Sequence, residues 1–334
     1  MHSLSQTAIA TLLTLSACGG DAAVLQSPDG SYRVVQMSDC GFDAQTARRE
    51  VERAVQSLTA IDLVFAHDDA MALAAAETLR DAGRLQVPVI GVGALPDAGR
   101  KLVADGLLAV SIENPSGAEA ALDLALLACS GVPVPRAITV GARVFTNTPR
   151  SPQRIPSPGD VLLTMLRAQH AVELAASKPI RIGVAQHNET EPRRKAMRQE
   201  MDTWVKAHAS VQLQYQSADG DQQRQSELVG NFVAQKLDAI LVVPAAAGTL
   251  VDACRLAQKA SIPVIVLDGE LGSEDYNCFV SSDNLAIGRA AGTEAARLLP
   301  AGGAIVVLQG LMTTSAARDR HTGFVESLQL LAPR

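Results

Sequence analysis

The chain of 334 residues is long enough for two ordinary domains, and 47% hydrophobic with 19% charged residues is a globular composition, not a disordered one. A net charge of −6, with no basic tract and no aromatic–basic patch, argues against nucleic acid as a partner. The six histidines are scattered, the five cysteines (Cys18, Cys40, Cys129, Cys254 and Cys278) show no metal-ligand spacing, and no metalloprotease, nucleophile-elbow, P-loop or dinucleotide motif occurs. An enzyme is therefore not expected, nor a metal or cofactor.

In chain order, residues 1–31 read as an export segment and tether. The apolar stretch Ala8–Ala17 is too short to span a bilayer. It ends in Leu15-Ser16-Ala17-Cys18, which resembles a bacterial lipoprotein signal with Cys18 as the lipidated residue, although a positive n-region is missing. A short frayed helix or a misplaced start codon is the alternative. Strand-like and helical runs then alternate. Tyr32–Met37, Ile61–Ala66, Val87–Val92, Leu107–Ile112 and Ile138–Phe145 predict strands. Asp43–Ser57, Asp68–Ala82, Asp97–Asp105 and Ser116–Ser130 predict the helices between them.

Residues Asn147–Gly159 carry four prolines in thirteen residues, the composition of a stiff linker, and a helix follows over Asp160–Ala176. The alternation then resumes, with strands at Ile180–Ala185, Val211–Gln216, Ala239–Val243, Val264–Leu267 and Cys278–Ser281. Helices at Pro192–His208, Asp221–Gln235, Thr249–Ala260 and Asn284–Leu299 separate most of them. Two βαβα blocks predict an α/β fold of two lobes, each a doubly wound, mostly parallel sheet. The chain closes on a strand, Ala304–Leu308, and a helix from Ala316 onward. A crossover helix normally delivers the chain to another parallel strand, and none follows.

From Pro179 to the end the chain resembles the first half of a type I periplasmic binding protein of the ribose-binding group. The words that carry the resemblance are IRIGVAQ, QKLDAILVVP, ASIPVIVLDGE, FVSSDNLAIGRAAG and VVLQGLMTTSAARDRHTGF. From about Tyr32 to Phe145 it resembles the second half, through DLVFAHDDAMALAAAETLRDAG, VPVIGVGALPDAG and DGLLAVSIENPSGAEAALDLALLACSG. The order is reversed, as in a circular permutation, and Tyr32–Met37 would be the strand that the closing helix lacks. The rival is a fusion of two halves that pair between chains. The resemblance implies one lobe at 32–112 with 304–330, continuing to 334. It implies a second lobe at 179–303 that includes the helix 113–131. Residues 132–146 would be hinge and strand, and 147–178 linker and helix.

The resemblance also implies a ligand between the lobes, at the carboxyl ends of strands. Gln186 opens the first turn, where sugar-binding relatives place aromatic rings and this chain has Arg193 and Arg194. Two guanidinium groups at a helix N-terminus are an anion cradle, or else solvent-facing groups paired with protein carboxylates. Asp268 matches a carboxylate that accepts ligand hydroxyls; the arginine that follows it in the family is Gly269 here. Ser282 matches a hinge-side contact, with Asp283 and Asn284 as helix caps. Arg320 matches an arginine that reaches the ligand, and Arg318 is the weaker candidate. Phe42 matches a stacking position or is a core residue. Asp68 stands where relatives often have Asn, or is an N-cap. Glu113 replaces a Gln, and at Val92-Gly93 relatives carry an aromatic and an Asp.

The implied function is that of an extracytoplasmic solute-binding protein of an ABC-type importer, without enzymatic activity. It would close about a hinge on a small polyhydroxy compound: a sugar, a polyol, or an acidic or phosphorylated sugar derivative. The protein would be a periplasmic monomer that meets the membrane only through a lipid anchor, and its partner would be a permease. The alternatives are a ligand sensor for a chemoreceptor or two-component kinase, and a LacI-type effector domain without a DNA-binding part.

Overall fold

A computed structural model describes residues 23–148, 152–171 and 179–330; Cys18 and the expected export segment through residue 22 lie outside the described residues. In chain order the first elements are β1 (Leu25–Gln26), β2 (Tyr32–Asp39), α1 (Ala44–Ser57), β3 (Leu63–Ala66), α2 (Asp69–Asp81), β4 (Val89–Gly93), α3 (Lys101–Ala104) and β5 (Val110–Glu113). There follow α4 (Ala118–Cys129), β6 (Ala137–Val140), β7 (Ala142–Thr146), β8 (Gln153–Ile155), α5 (Pro158–Gln169), β9 (Ile180–Gln186), α6 (Pro192–Ala207) and β10 (Val211–Ser217). The last are α7 (Gln222–Ala234), β11 (Ala239–Val243), α8 (Val251–Lys259), β12 (Val264–Leu267), β13 (Cys278–Ser282), α9 (Asn284–Leu298), β14 (Gly303–Gln309) and α10 (Ser315–Leu330). The described residues fall into two compact units. Those of Met1–Ile112, Val144–Pro152 and Asn284–Arg334 form unit 1, and those of Glu113–Arg143 and Gln153–Asp283 form unit 2.

The sheet of unit 1 runs β1-β2-β14-β3-β4-β5-β7, with β8 next in the order beyond β7. Strand β14 is central and parallel to both neighbours, placing Ile305 opposite Val34 on one side and Leu63 on the other. The residues Ala304–Leu308 are all buried, as an apolar run covered on both faces must be. The strand near the C-terminus thus pairs with the strand near the N-terminus inside one chain. Antiparallel pairs flank the parallel block, β1 with β2 and β5 with β7.

The helix α9, expected in the lobe with residues 179–303, belongs instead to unit 1, because it packs against α10. Glycines allow the approach. A Cβ at Gly288 would overlap the Arg320 carbonyl, one at Gly323 the Leu285 carbonyl, and one at Gly292 the Ser327 side chain.

Unit 2 holds a wholly parallel sheet in the order β10-β9-β11-β12-β13-β6. Alternate side chains serve two cores, following the two-residue strand period. Ile182, Val184, Leu241, Val243, Ile265 and Leu267 join Leu122 of α4 and Met197, Met201 and Trp204 of α6 on one face. Ala185, Ile240, Val242, Val264 and Val266 join Val229 and Phe232 of α7 and Cys254 and Ala257 of α8 on the other.

The single strand expected over Ile138–Phe145 is two. It breaks at Gly141, where a Cβ would overlap Asp160 and the Ile155 carbonyl; β6 enters the unit 2 sheet, and β7 pairs with β5. The expected hinge segment 132–146 is accordingly divided, 132–143 to unit 2 and 144–146 to unit 1. The proline-rich stretch is more than a linker. It contains β8, and α5 starts at Pro158 with a Ser157–Asp160 capping box. Arg167 of α5 also donates to the buried Asp123 of α4 at 2.6 Å, and Trp204 Nε1 donates to the same carboxylate at 2.8 Å. Residues 172–178, within the helix expected to Ala176, lie outside the described residues.

Candidate functional site

In unit 2 the polar groups gather where β9 and β12 end. Pro192 starts α6 at a position that needs no N–H, and the first turn of the helix carries no acid. Arg193 and Arg194 project from that turn toward Asp268, the residue after β12. Arg193 Nη1 donates to Asp268 Oδ1 at 2.7 Å, and its Nη2 donates to the Pro115 carbonyl at 3.0 Å. Arg194 Nη1 stands 2.9 Å from Asp268 Oδ2, out of line for a hydrogen bond. Asp268 adopts the left-handed region at φ 70°, uncommon for a residue with a Cβ. Gly269 beside it has no room for a Cβ, which would overlap the Pro244 carbonyl. This carboxylate is held in a strained backbone between two guanidinium groups, the kind of strain that collects at ligand sites.

The other unit 2 candidates are engaged differently. Gln186 is fully buried; its Oε1 accepts from the His187 N–H at 3.0 Å and its Nε2 lies 3.5 Å from Met197 Sδ, so it faces the core. Glu113 accepts both arms of Arg143, at 2.9 and 2.6 Å, a bidentate pair inside the unit. Ser282 donates to Asn114 Oδ1 at 2.6 Å and lies 2.8 Å from the Pro115 carbonyl. The Pro115 carbonyl accepts from Arg193 and lies beside Ser282, which places the end of β13 next to the start of α6.

Unit 1 carries its own polar set at the carboxyl ends of β3, β4 and β14. Asp68 caps α2, accepting from the Met71 N–H at 2.7 Å, and burial raises its pKa. Arg320 is buried on α10; its Nη1 donates to the His67 carbonyl at 2.7 Å and its Nε to Asn284 Oδ1 at 2.8 Å. Phe42 has φ 65°, and its ring covers Gly310 so closely that a Cβ there would enter the ring. Gly93, at φ 145°, ends β4 in a conformation open to glycine.

Two residues beside these escaped the sequence reading. Asp69 is buried, accepts from Ser111 Oγ at 2.7 Å and from the Ala94 N–H at 2.6 Å, and is pushed up to about 6, mainly by burial. A Cβ at Gly91, Gly93 or Gly99 would overlap its carboxylate, so three glycines make its seat. His67 is fully buried, and neither ring nitrogen has a hydrogen-bond partner among the described residues. Burial, then Arg320, holds its pKa well below the usual value, so its ring is neutral. No sequence cue pointed to either residue, because the glycines that seat Asp69 are distant from it in the chain.

The arrangement in each unit is a parallel sheet with charged and hydrogen-bonding groups at the carboxyl ends of its strands, which defines an open α/β ligand-binding class. Residues 182–332 match the family described as the periplasmic binding protein domain. Over 89 residues the chain is 35% identical to the ribose import binding protein of Salmonella typhimurium, covering 27% of this chain and 30% of that one. It is 32% identical over 128 residues to a xylitol-binding protein of Mycolicibacterium smegmatis, covering 38% and 36%. The chain thus spans about a third of the length of these relatives. Among solved structures it is similar to a fructose-binding periplasmic domain of a hybrid two-component system, at 30% identity and a TM-score of 0.40. That match covers 46% of this chain and 51% of that one.

Proposed function

We propose that this chain is the extracytoplasmic solute-binding component of an ABC-type importer. It captures a small polyhydroxy solute, in the sugar, polyol or sugar-derivative class, and does no chemistry on it. The observation that supports this most directly is the Arg193–Asp268–Arg194 cluster, at the carboxyl ends of β9 and β12 inside the segment that matches the periplasmic binding protein domain. A carboxylate accepts from hydroxyl groups and guanidinium groups donate to oxygen, so the cluster is suited to a ligand dense in oxygen. The curated relatives are named for ribose import and for xylitol binding, solutes of that chemistry. Gln186 and Glu113, each committed inside unit 2, shape the surroundings of such a site; Ser282, Phe42, Asp68, Gly93 and Arg320 remain candidates for contact.

The proposal includes a permuted order of the two family halves. It is supported by the parallel pairing of β14 with β2 in one chain and by a family match confined to residues 182–332. It also includes a lipid anchor at Cys18, for which the check is palmitate labelling that is lost in Cys18→Ser. The solute-binding reading is tested by a thermal-unfolding screen of sugars, polyols, sugar acids and sugar phosphates. A native-state ligand at 100 times its Kd adds about 2.7 kcal/mol of stability. A screen in which no compound raises the midpoint would retire the reading.

A further inference from the structure

The charge at the start of α6 is not balanced by the carboxylates around it. Arg193 and Arg194 share one close carboxylate, Asp268. Glu191 stands 3.8 Å from Arg194 with a largely exposed side chain, so water screens the pair. Glu200, whose charge acts on Arg193, accepts from Ser116, and burial raises its pKa. Glu113 is taken up by Arg143. The helix adds to the excess, because α6 has sixteen residues, no acid in its first turn and no side-chain cap.

Hydrogen-bond donors are in excess as well. Nε of Arg193, and Nε and Nη1 of Arg194, are buried without a hydrogen-bond partner among the described residues. The Arg194 side chain is only 13% exposed. Buried donors without acceptors, and cations without full counter-charge, are costly features that persist where a partner arrives to satisfy them. The donors lie on two guanidinium groups, whose planar forks match the oxygens of a carboxylate or phosphate.

We infer that the solute carries an oxyanion, carboxylate or phosphate, which Arg193 and Arg194 bind while Asp268 accepts from hydroxyl groups of the same molecule. This rests on the binding-protein reading and adds the sign of the ligand's charge. In the absence of solute Asp268 keeps the two guanidinium groups in place. When the acid group arrives it takes up the donors that Asp268 leaves unused.

The test is calorimetric titration of the full chain with matched pairs that differ in one acid group: xylitol with xylonate, galactose with galacturonate, ribose with ribose 5-phosphate, and inositol with inositol monophosphate. The expected result is that in at least one pair the charged member binds about 30-fold tighter or more, which is the loss typical of removing a charged contact. The carboxylate and phosphate pairs separate the two oxyanions. Arg193→Gln/Arg194→Gln should abolish the preference. Should that variant not fold, Arg194→Lys, which keeps the charge without the fork, should reduce it. Neutral members that bind as tightly as their charged counterparts in every pair would overturn the inference and leave the solute-binding reading standing. Binding of no member of any pair would overturn both.

Discussion

Asp68 and Asp69 are adjacent in the chain and have different roles. Asp68 turns back to cap α2, while Asp69 points inward, to Ser111 and the Ala94 N–H. An acid whose pKa rises on folding, here from 3.8 to about 6, makes the fold more stable below pH 4 than above pH 6. The unfolded chain releases that proton near pH 4 and the folded chain only near pH 6. Stability from this group is therefore present below the lower value and lost as pH rises through the higher one. Asn at this position keeps an oxygen for the Ala94 N–H and offers an amide to Ser111, without ionising. Relative to wild type, Asp69→Asn should gain on the order of 3 kcal/mol between pH 4 and pH 7, from 1.36 kcal/mol for each pH unit of displacement. Urea unfolding at both pH values measures it, and a difference between the two proteins that does not change with pH would count against the buried carboxylate. The capping role of Asp68 is legible in the sequence because an apolar helical run follows it. The inward turn of Asp69 is not, because Gly91, Gly93 and Gly99 reach it only through tertiary folding. The same holds for Asp268, whose place at a strand end is legible but whose pairing with Arg193 joins residues 75 apart.

At the scale of elements, the alternation of strands and helices was readable because the periods of two and 3.6 are set by local geometry. Which unit an element joins was harder to read. The helix α9 follows β13 directly and reads as its crossover, yet close packing on α10 draws it into unit 1. That packing depends on small residues at the contact, which a reading of apolar periodicity does not weigh. Gly323→Ala would push a methyl group into the Leu285 carbonyl, and overpacking of this kind costs about 1–3 kcal/mol. Chemical denaturation should show that loss, and a variant within about 0.5 kcal/mol of wild type, the range of ordinary surface substitutions, would mean the helices are not held by this contact. Gly141 is a parallel case. One apolar run, Ile138–Phe145, serves two sheets because the chain turns at a position where a side chain would strike Asp160 and Ile155.

For the whole molecule, the chain passes between the units at 112/113, 143/144, 152/153 and 283/284, so neither unit is a continuous stretch of sequence. The central strand of the unit 1 sheet comes from the end of the chain and its neighbour β2 from near the start. The apolar run Ala304–Leu308 and the reversed order of the two resembling halves made this pairing readable. Because β14 meets β2 inside one chain, that pairing needs no partner copy, and light scattering should give a mass near 35 kDa at all working concentrations. A dimer that persists on dilution would favour pairing between chains. The most direct measurement is a calorimetric titration of the purified chain with the best compound from the unfolding screen. The account predicts saturable binding of one solute molecule per chain, weakened about 30-fold or more when Asp268→Ala leaves Arg193 and Arg194 without their carboxylate. Heats that do not saturate, or binding that is unchanged by Asp268→Ala, would contradict it.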